Sequence, residues 1–138
     1  MKLQVVTKDS DKIEGFTHVQ CFGVQLDLSS ISDNECELIL AGDVLDMYQT
    51  EALGEVIQQL VKKLRIGGEI VLGGTECRVF AKSIVNGLIT ENQASQIIAN
   101  KKSLVSIETL KEAVKSLGLN VIHTSIDGVH CEVKAKRG

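Results

Sequence analysis

Two uninterrupted apolar runs, Leu38-Ile39-Leu40-Ala41 and Ile70-Val71-Leu72, constrain this chain most. A strand with one face in water alternates apolar and polar residues. A strand without that alternation is expected to be covered on both faces, like the central strands of a mostly parallel sheet. Between the runs, Leu53, Val56, Ile57, Leu60, Val61 and Leu64 recur at spacings of three and four, while Glu51, Glu55, Gln58, Lys62 and Lys63 lie off that stripe. This is the period of an amphipathic helix. Strand, helix, strand is the unit from which parallel α/β sheets are built.

The remaining pattern extends that unit. Strands are expected at 2–6, 16–22, 38–41, 69–72, 120–126 and 129–134, with a weaker one near 24–28. Helices are expected at 49–65, about 77–86, 91–100 and 107–117. Thr90 with Gln93 forms a capping-box pattern, Ser106 suits an N-cap, and Gly87 and Gly118 suit helix stops. Gly67 is expected to end the first helix in a left-handed conformation, helped by Lys62, Lys63 and Arg65 at the negative end of its dipole. Gly73-Gly74 is expected to release the chain at the carboxyl end of strand 69–72, where ligands approach the backbone in open α/β sheets.

Asp127-Gly128 predicts a two-residue hairpin turn that pairs Ile126 with Val129, Thr124 with Cys131 and Ile122 with Val133. The other face of this hairpin carries Ser125 opposite His130, His123 opposite Glu132 and Val121 opposite Lys134. Two histidines and a glutamate on one face raise a metal site. A solvated face with one cross-strand ion pair is the commoner outcome, so no metal is expected.

Composition narrows the class. The 138 residues are 43% hydrophobic and 24% charged with a net charge of -3, which suits one soluble domain spanning 1–138 and gives no electrostatic case for nucleic acid. The start, MKLQVVTKDSDK, has no apolar run of signal-peptide length, and no segment reaches membrane length. Cys21, Cys36, Cys77 and Cys131 are scattered without a C-x-x-C pair, which suits reduced thiols in the cytoplasm.

Four stretches in order resemble class I S-adenosylmethionine-dependent methyltransferases. "KLQVVTKDSDKIEGFTHVQ" (2–20) is similar to a short-looped branch reading "KLNLGCG…I-x-GY-x-NVD". "DLSSISDNECELILAGDVLDMY" (27–48) resembles an acidic-Leu pair before "DNS-x-D", a strand and "VLEH". "EALGEVIQQLVKKLRIGGEIVLGG" (51–74) resembles the helix and strand around "LKPGG", with Ile66 where proline is usual. "SLVSIETLKEAVKSLGLNVI" (103–122) resembles the late helix that ends in "GF". The resemblance implies a three-layer Rossmann-like fold with strand order 3-2-1-4-5-7-6 and an antiparallel C-terminal hairpin.

It also implies where a cofactor would bind, and there the sequence departs. Val6, Thr7 and Lys8 stand where the family has a glycine turn that lets the backbone approach the cofactor. Gln20 stands where an acid accepts the ribose hydroxyls, which an amide replaces only in part. Asp27 and Leu28 match positions near the adenine. Asp43 and Asp46 fall in the "HVLEH" region, which here has no histidine. The implied cofactor-lining residues are therefore Thr7, Gln20, Asp27, Leu28, Gly42 and Asp43, and no catalytic residue is identified.

Only Lys8 to Gly15 separates the first two strands, too short for the family's first helix, and 23–35 leaves no room for a full helix either. Leu3, Val5, Val19 and Cys21 share one side of those strands. Gln4, His18 and Gln20 share the other with Val6, Phe16 and Phe22, so a partner surface is open there. Three readings follow. The first is a methyltransferase-like protein with a degenerate S-adenosylmethionine site that works as a non-catalytic binding or scaffold subunit, holding little or no cofactor. The second is an active methyltransferase on a small molecule or saccharide. The third is another α/β nucleotide-binding module, for which no phosphate loop is visible. The second face of strand 38–41 also needs cover, which predicts a homodimer or a protein partner.

Overall fold

The computed structural model of the protein describes residues 1–21 and 26–138. Among them, β1 (Lys2–Val6), β2 (Thr17–Gln20), β3 (Cys36–Ala41), β4 (Leu64–Thr75), β5 (Leu119–Asp127) and β6 (His130–Arg137) form one sheet in the order β2-β1-β3-β4-β6-β5. β1, β2, β3 and β4 pair in parallel, and β6 runs antiparallel to both β4 and β5. This is the expected order and direction with the third strand of the pattern absent from the described residues. The weak strand expected at 24–28 lies partly outside them, and 26–28 is not a strand. Phe22, expected at the end of the second strand, also lies outside them.

The helices α1 (Thr50–Lys63), α2 (Cys77–Val85), α3 (Glu91–Ile98) and α4 (Ile107–Ser116) fall where periodicity places them. Val56, Ile57, Leu60 and Val61 of α1 and Leu110 and Val114 of α4 are buried with Leu3, Val5, Ile39, Ala41, Ile70, Leu72, Cys131, Val133 and Ala135. Those sheet residues alternate along their strands, so they mark one covered face. Thr90 and Gln93 form the capping box, and the Ser106 side chain caps α4 by accepting from Thr109 N.

On the opposite face, among the described residues, the segment between β1 and β2 with its 3-10 turn at Asp9–Asp11 covers β1. Gln4, polar yet only 8% exposed, anchors this segment. Its amide donates to Asp11 O at 2.8 Å and accepts from Ile13 N at 2.8 Å. A buried amide needs both bonds, so the short connection folds back over β1 instead of looping into water.

Three local expectations are corrected. First, the strand around Ile70 is not four residues long. α1 passes directly into β4, which runs through both glycine pairs. Gly67 does adopt a left-handed φ of 83°, but within a bulge, where β4 advances from Leu64 to Glu69 while β3 advances only from Cys36 to Leu38. Second, Gly73 and Gly74 do not release the chain, because they stay paired with Glu132 and Cys131 of β6.

Third, the hairpin register is slipped by two. Ile126 pairs with Cys131, Thr124 with Val133, Ser125 with Glu132, and His123 with Lys134. Gly128 alone in this turn has a positive φ, 61°, which puts glycine at the first central position with Val129 second. That is the arrangement of a type II′ turn, whereas a turn centred on Asp127-Gly128 would need both residues left-handed. A two-residue slip preserves the faces, so the side-chain sets stay as expected up to a bulge at Ile122.

Candidate functional site

The carboxyl ends of β1, β3 and β4 and the start of β6 surround an open cleft of about 600 Å³, lined by Gln4, Val5, Leu40, Gly42, Asp43, Val71, His130 and Glu132. Strand pairing explains the composition. Side chains directly opposite one another share a face, so Gln4, Leu40 and Val71 line up, with Glu132 one step further along, across from Gly73. Gly73 is required by crowding, whereas Gly42 is tight only against a side chain that can move. A Cβ on Gly73 would run into the backbone oxygens of Gly42 and Cys131, and one on Gly42 would meet the Glu132 carboxylate.

Three titratable groups meet here. The His130 Nε2 lies 3.8 Å from Glu132 Oε2. Glu132 thus has a neighbour on its own strand in place of the expected His123, which stands opposite Lys134. Asp43 is exposed as a residue, yet its carboxyl is raised above the usual aspartate range. Loss of hydration against the cleft wall is the largest cause, repulsion from Asp11 and Asp46 adds to it, and attraction from His130 opposes it. The group can accept or hold a proton, but among the described residues no hydroxyl or thiol nucleophile lines the cleft beside it.

Of the six expected cofactor-lining residues, two line this cleft, Gly42 and Asp43. Thr7 and Gln20 stand together at the ends of β1 and β2, where Gln20 Nε2 donates to Thr7 O at 3.4 Å and Cys21 N donates to Val6 O at 2.8 Å. Leu28 is buried at 6% exposure and lines a separate hollow of about 290 Å³ with Lys62 and Lys63. Asp27 is exposed, and hydrogen bonds from the Ser29 side chain and, at 3.0 Å, from Ser29 N lower its carboxyl. Gln4, His130 and Glu132 complete the cleft without having been singled out for it. The shared hairpin face of His130 and Glu132 is the signal that was available.

Below the cleft, the sheet end is held by buried polar groups. Asp46, 1% exposed, accepts through Oδ2 from Thr75 N at 3.1 Å and Thr75 Oγ1 at 2.9 Å, and pairs with Lys101 Nζ at 3.0 Å. Its Oδ1 is buried with no partner among the described residues. Tyr48 is fully buried, and its hydroxyl meets the Cys21 thiol at 3.0 Å. Burial pushes both groups up in pKa. Among the described residues no group of three or more His, Cys, Asp or Glu could hold a metal, and no helix is long and apolar enough to cross a membrane.

No protein-family model matches the chain, and no curated protein matches it. Solved structures do. A SAM dependent methyltransferase from Archaeoglobus fulgidus superposes with a TM-score of 0.64 at 15% identity, over 97% of this chain and 75% of that one. An S-adenosylmethionine dependent methyltransferase from Mesorhizobium loti gives 0.62 at 14% identity, over 98% and 79%. A structure described as a complex between the Haloferax volcanii Trm112 methyltransferase activator and the putative methyltransferase gives 0.62 at 8% identity, over 98% and 71%. The chain therefore has the class I S-adenosylmethionine-dependent methyltransferase fold. At these identities the likeness concerns the fold alone.

Proposed function

We propose that this chain is a methyltransferase-fold binding subunit, a single domain spanning 1–138, that does not carry out methyl transfer. One observation carries the reading: side chains, one buried and one bonded to the backbone, stand at the end of β1 where the family has a glycine turn and a ribose-binding acid. Val6 is 2% exposed, and the Thr7 carbonyl is taken up by Gln20. A cofactor at this edge needs a backbone it can approach and an acceptor for its ribose hydroxyls. Here a buried side chain occupies the first role, and an amide already donating to its own backbone occupies the second. The place of Leu28 in a hollow other than the one lined by Gly42 and Asp43 supports the same reading.

The neighbour described in complex with a methyltransferase activator supports work through a protein partner. Four free cysteines suit a reducing, cytoplasmic setting. The test is the melting temperature with S-adenosylhomocysteine in large excess. A ligand that binds only the folded state raises stability by mass action. An unchanged melting temperature is expected, and a clear rise overturns the reading.

The cleft keeps a second reading in view, an active methyltransferase on a small molecule or saccharide. At about 600 Å³ it has the size of a small-molecule site, and Asp43 and His130 are among its lining residues. Transfer of tritiated methyl from S-adenosylmethionine to any acceptor would favour that reading.

A further inference from the structure

We infer that the sheet face carrying Leu38, Leu40 and Val71 docks on the same face of a second copy of this chain, with Lys136 of each copy against Glu132 of the other. This names the partner of the binding subunit proposed above and rests on that reading.

The pairing arranges the face in rows. Lys2, Leu38, Glu69 and Lys136 form one row across β1, β3, β4 and β6, and Gln4, Leu40, Val71 and Lys134 form the next. Gly73 and Glu132 begin the third, with Gly42 beside them. The middle is apolar, since Leu38, Leu40 and Val71 are all half-buried. The two ends carry opposite charge. Lys2 and Lys136 are exposed at the amino end, where Glu69 is taken up by Lys134 at 3.1 Å. Asp43 and Glu132 stand at the carboxyl end.

A face with this charge gradient is complementary to itself in one orientation. A two-fold axis lying between the two sheets and parallel to the strands would set lysine row on lysine row. An axis perpendicular to the strands, over Leu40 and Val71, reverses them instead. β3, β4 and β6 then face themselves antiparallel, within the usual angle of about 30° between packed sheets, while the connection folded over β1 of each copy spaces the sheets apart at that edge. Leu40 and Val71 meet their own copies, Leu38 turns toward the other copy's cleft, and Lys136 meets Glu132 twice, while Lys134, which also falls opposite its own copy, is neutralised by Glu69 at 3.1 Å.

Sedimentation equilibrium over a micromolar concentration series tests this. A dimer of twice 15.0 kDa is expected. Lys136→Glu or Glu132→Lys alone sets like charges together and should raise the dissociation constant about tenfold, whereas the double variant should restore it. Melting curves identify any variant that fails to fold, and Lys136→Glu, at an exposed position, still decides the matter if Glu132→Lys is one. A 15.0 kDa mass throughout overturns the proposal and leaves the face to a different partner. So does a dimer indifferent to both reversals. Cofactor binding by the same protein would sink the non-catalytic reading while leaving a dimer standing.

Discussion

Glu76 and Ile107, 31 residues apart, are joined by a half-buried hydrogen bond that starts two helices from one carboxylate. Glu76 Oε2 accepts from Ile107 N at 2.9 Å, at the first turn of α4, while Oε1 accepts from Arg78 N at 2.6 Å and caps α2. Backbone N–H groups at a helix start have no partner within the helix, and an anion there also meets the positive end of the dipole. The bridge between Glu76 and Val105 closes the α2–α3 excursion at the same point.

Replacing Glu76 by alanine should therefore weaken two caps at once, a loss of about 2 kcal/mol. Glu76→Gln keeps one acceptor and should fall between. Urea unfolding of the three proteins checks the order, and equal midpoints for Glu76→Ala and the parent would refute the shared cap.

The glycines of β4 should respond in different measure. Gly67→Ala meets no atom within 4 Å and suffers only from its φ of 83°, a cost of about 1 kcal/mol. Gly73→Ala drives a methyl into two backbone oxygens that cannot swing aside, so it should cost more than Gly67→Ala. Melting temperatures of the two variants test this, with the reverse order counting against the assignment.

Asp43 gives a pH signature. Its folded pKa is raised, so the native state prefers the protonated form. The stability linked to that preference is full below the unfolded value of 3.8 and is lost as pH rises through the raised folded value. Asp43→Asn should thus melt higher than the parent at neutral pH, with the gain shrinking as pH falls toward 3.8. A gain that is constant with pH would contradict the cause given.

Much of the fold was legible because it rests on periodicity. The apolar runs at 38–41 and 70–72 do form adjacent parallel strands, and the stripe of α1 does face the core. What escaped depended on non-local fit. Gly67 reads locally as a helix stop, but the chain reaches β3 only through a bulge, and that need is invisible to a helical pattern. Asp127-Gly128 reads as the preferred turn, yet the ladder between β6 and β4 accompanies a register two residues further on. The candidate site was half legible. Gly42 and Asp43 follow an apolar strand and so sit at its carboxyl end, whereas Gln4, His130 and Glu132 join them only through sheet order.

Isothermal titration calorimetry with S-adenosylmethionine and S-adenosylhomocysteine tests the central claim most directly. With Val6 buried at the turn and Gln20 bonded to Thr7, no saturable heat is expected at micromolar ligand. A dissociation constant near 1 μM, about -8 kcal/mol, would show a working cofactor site and contradict the account.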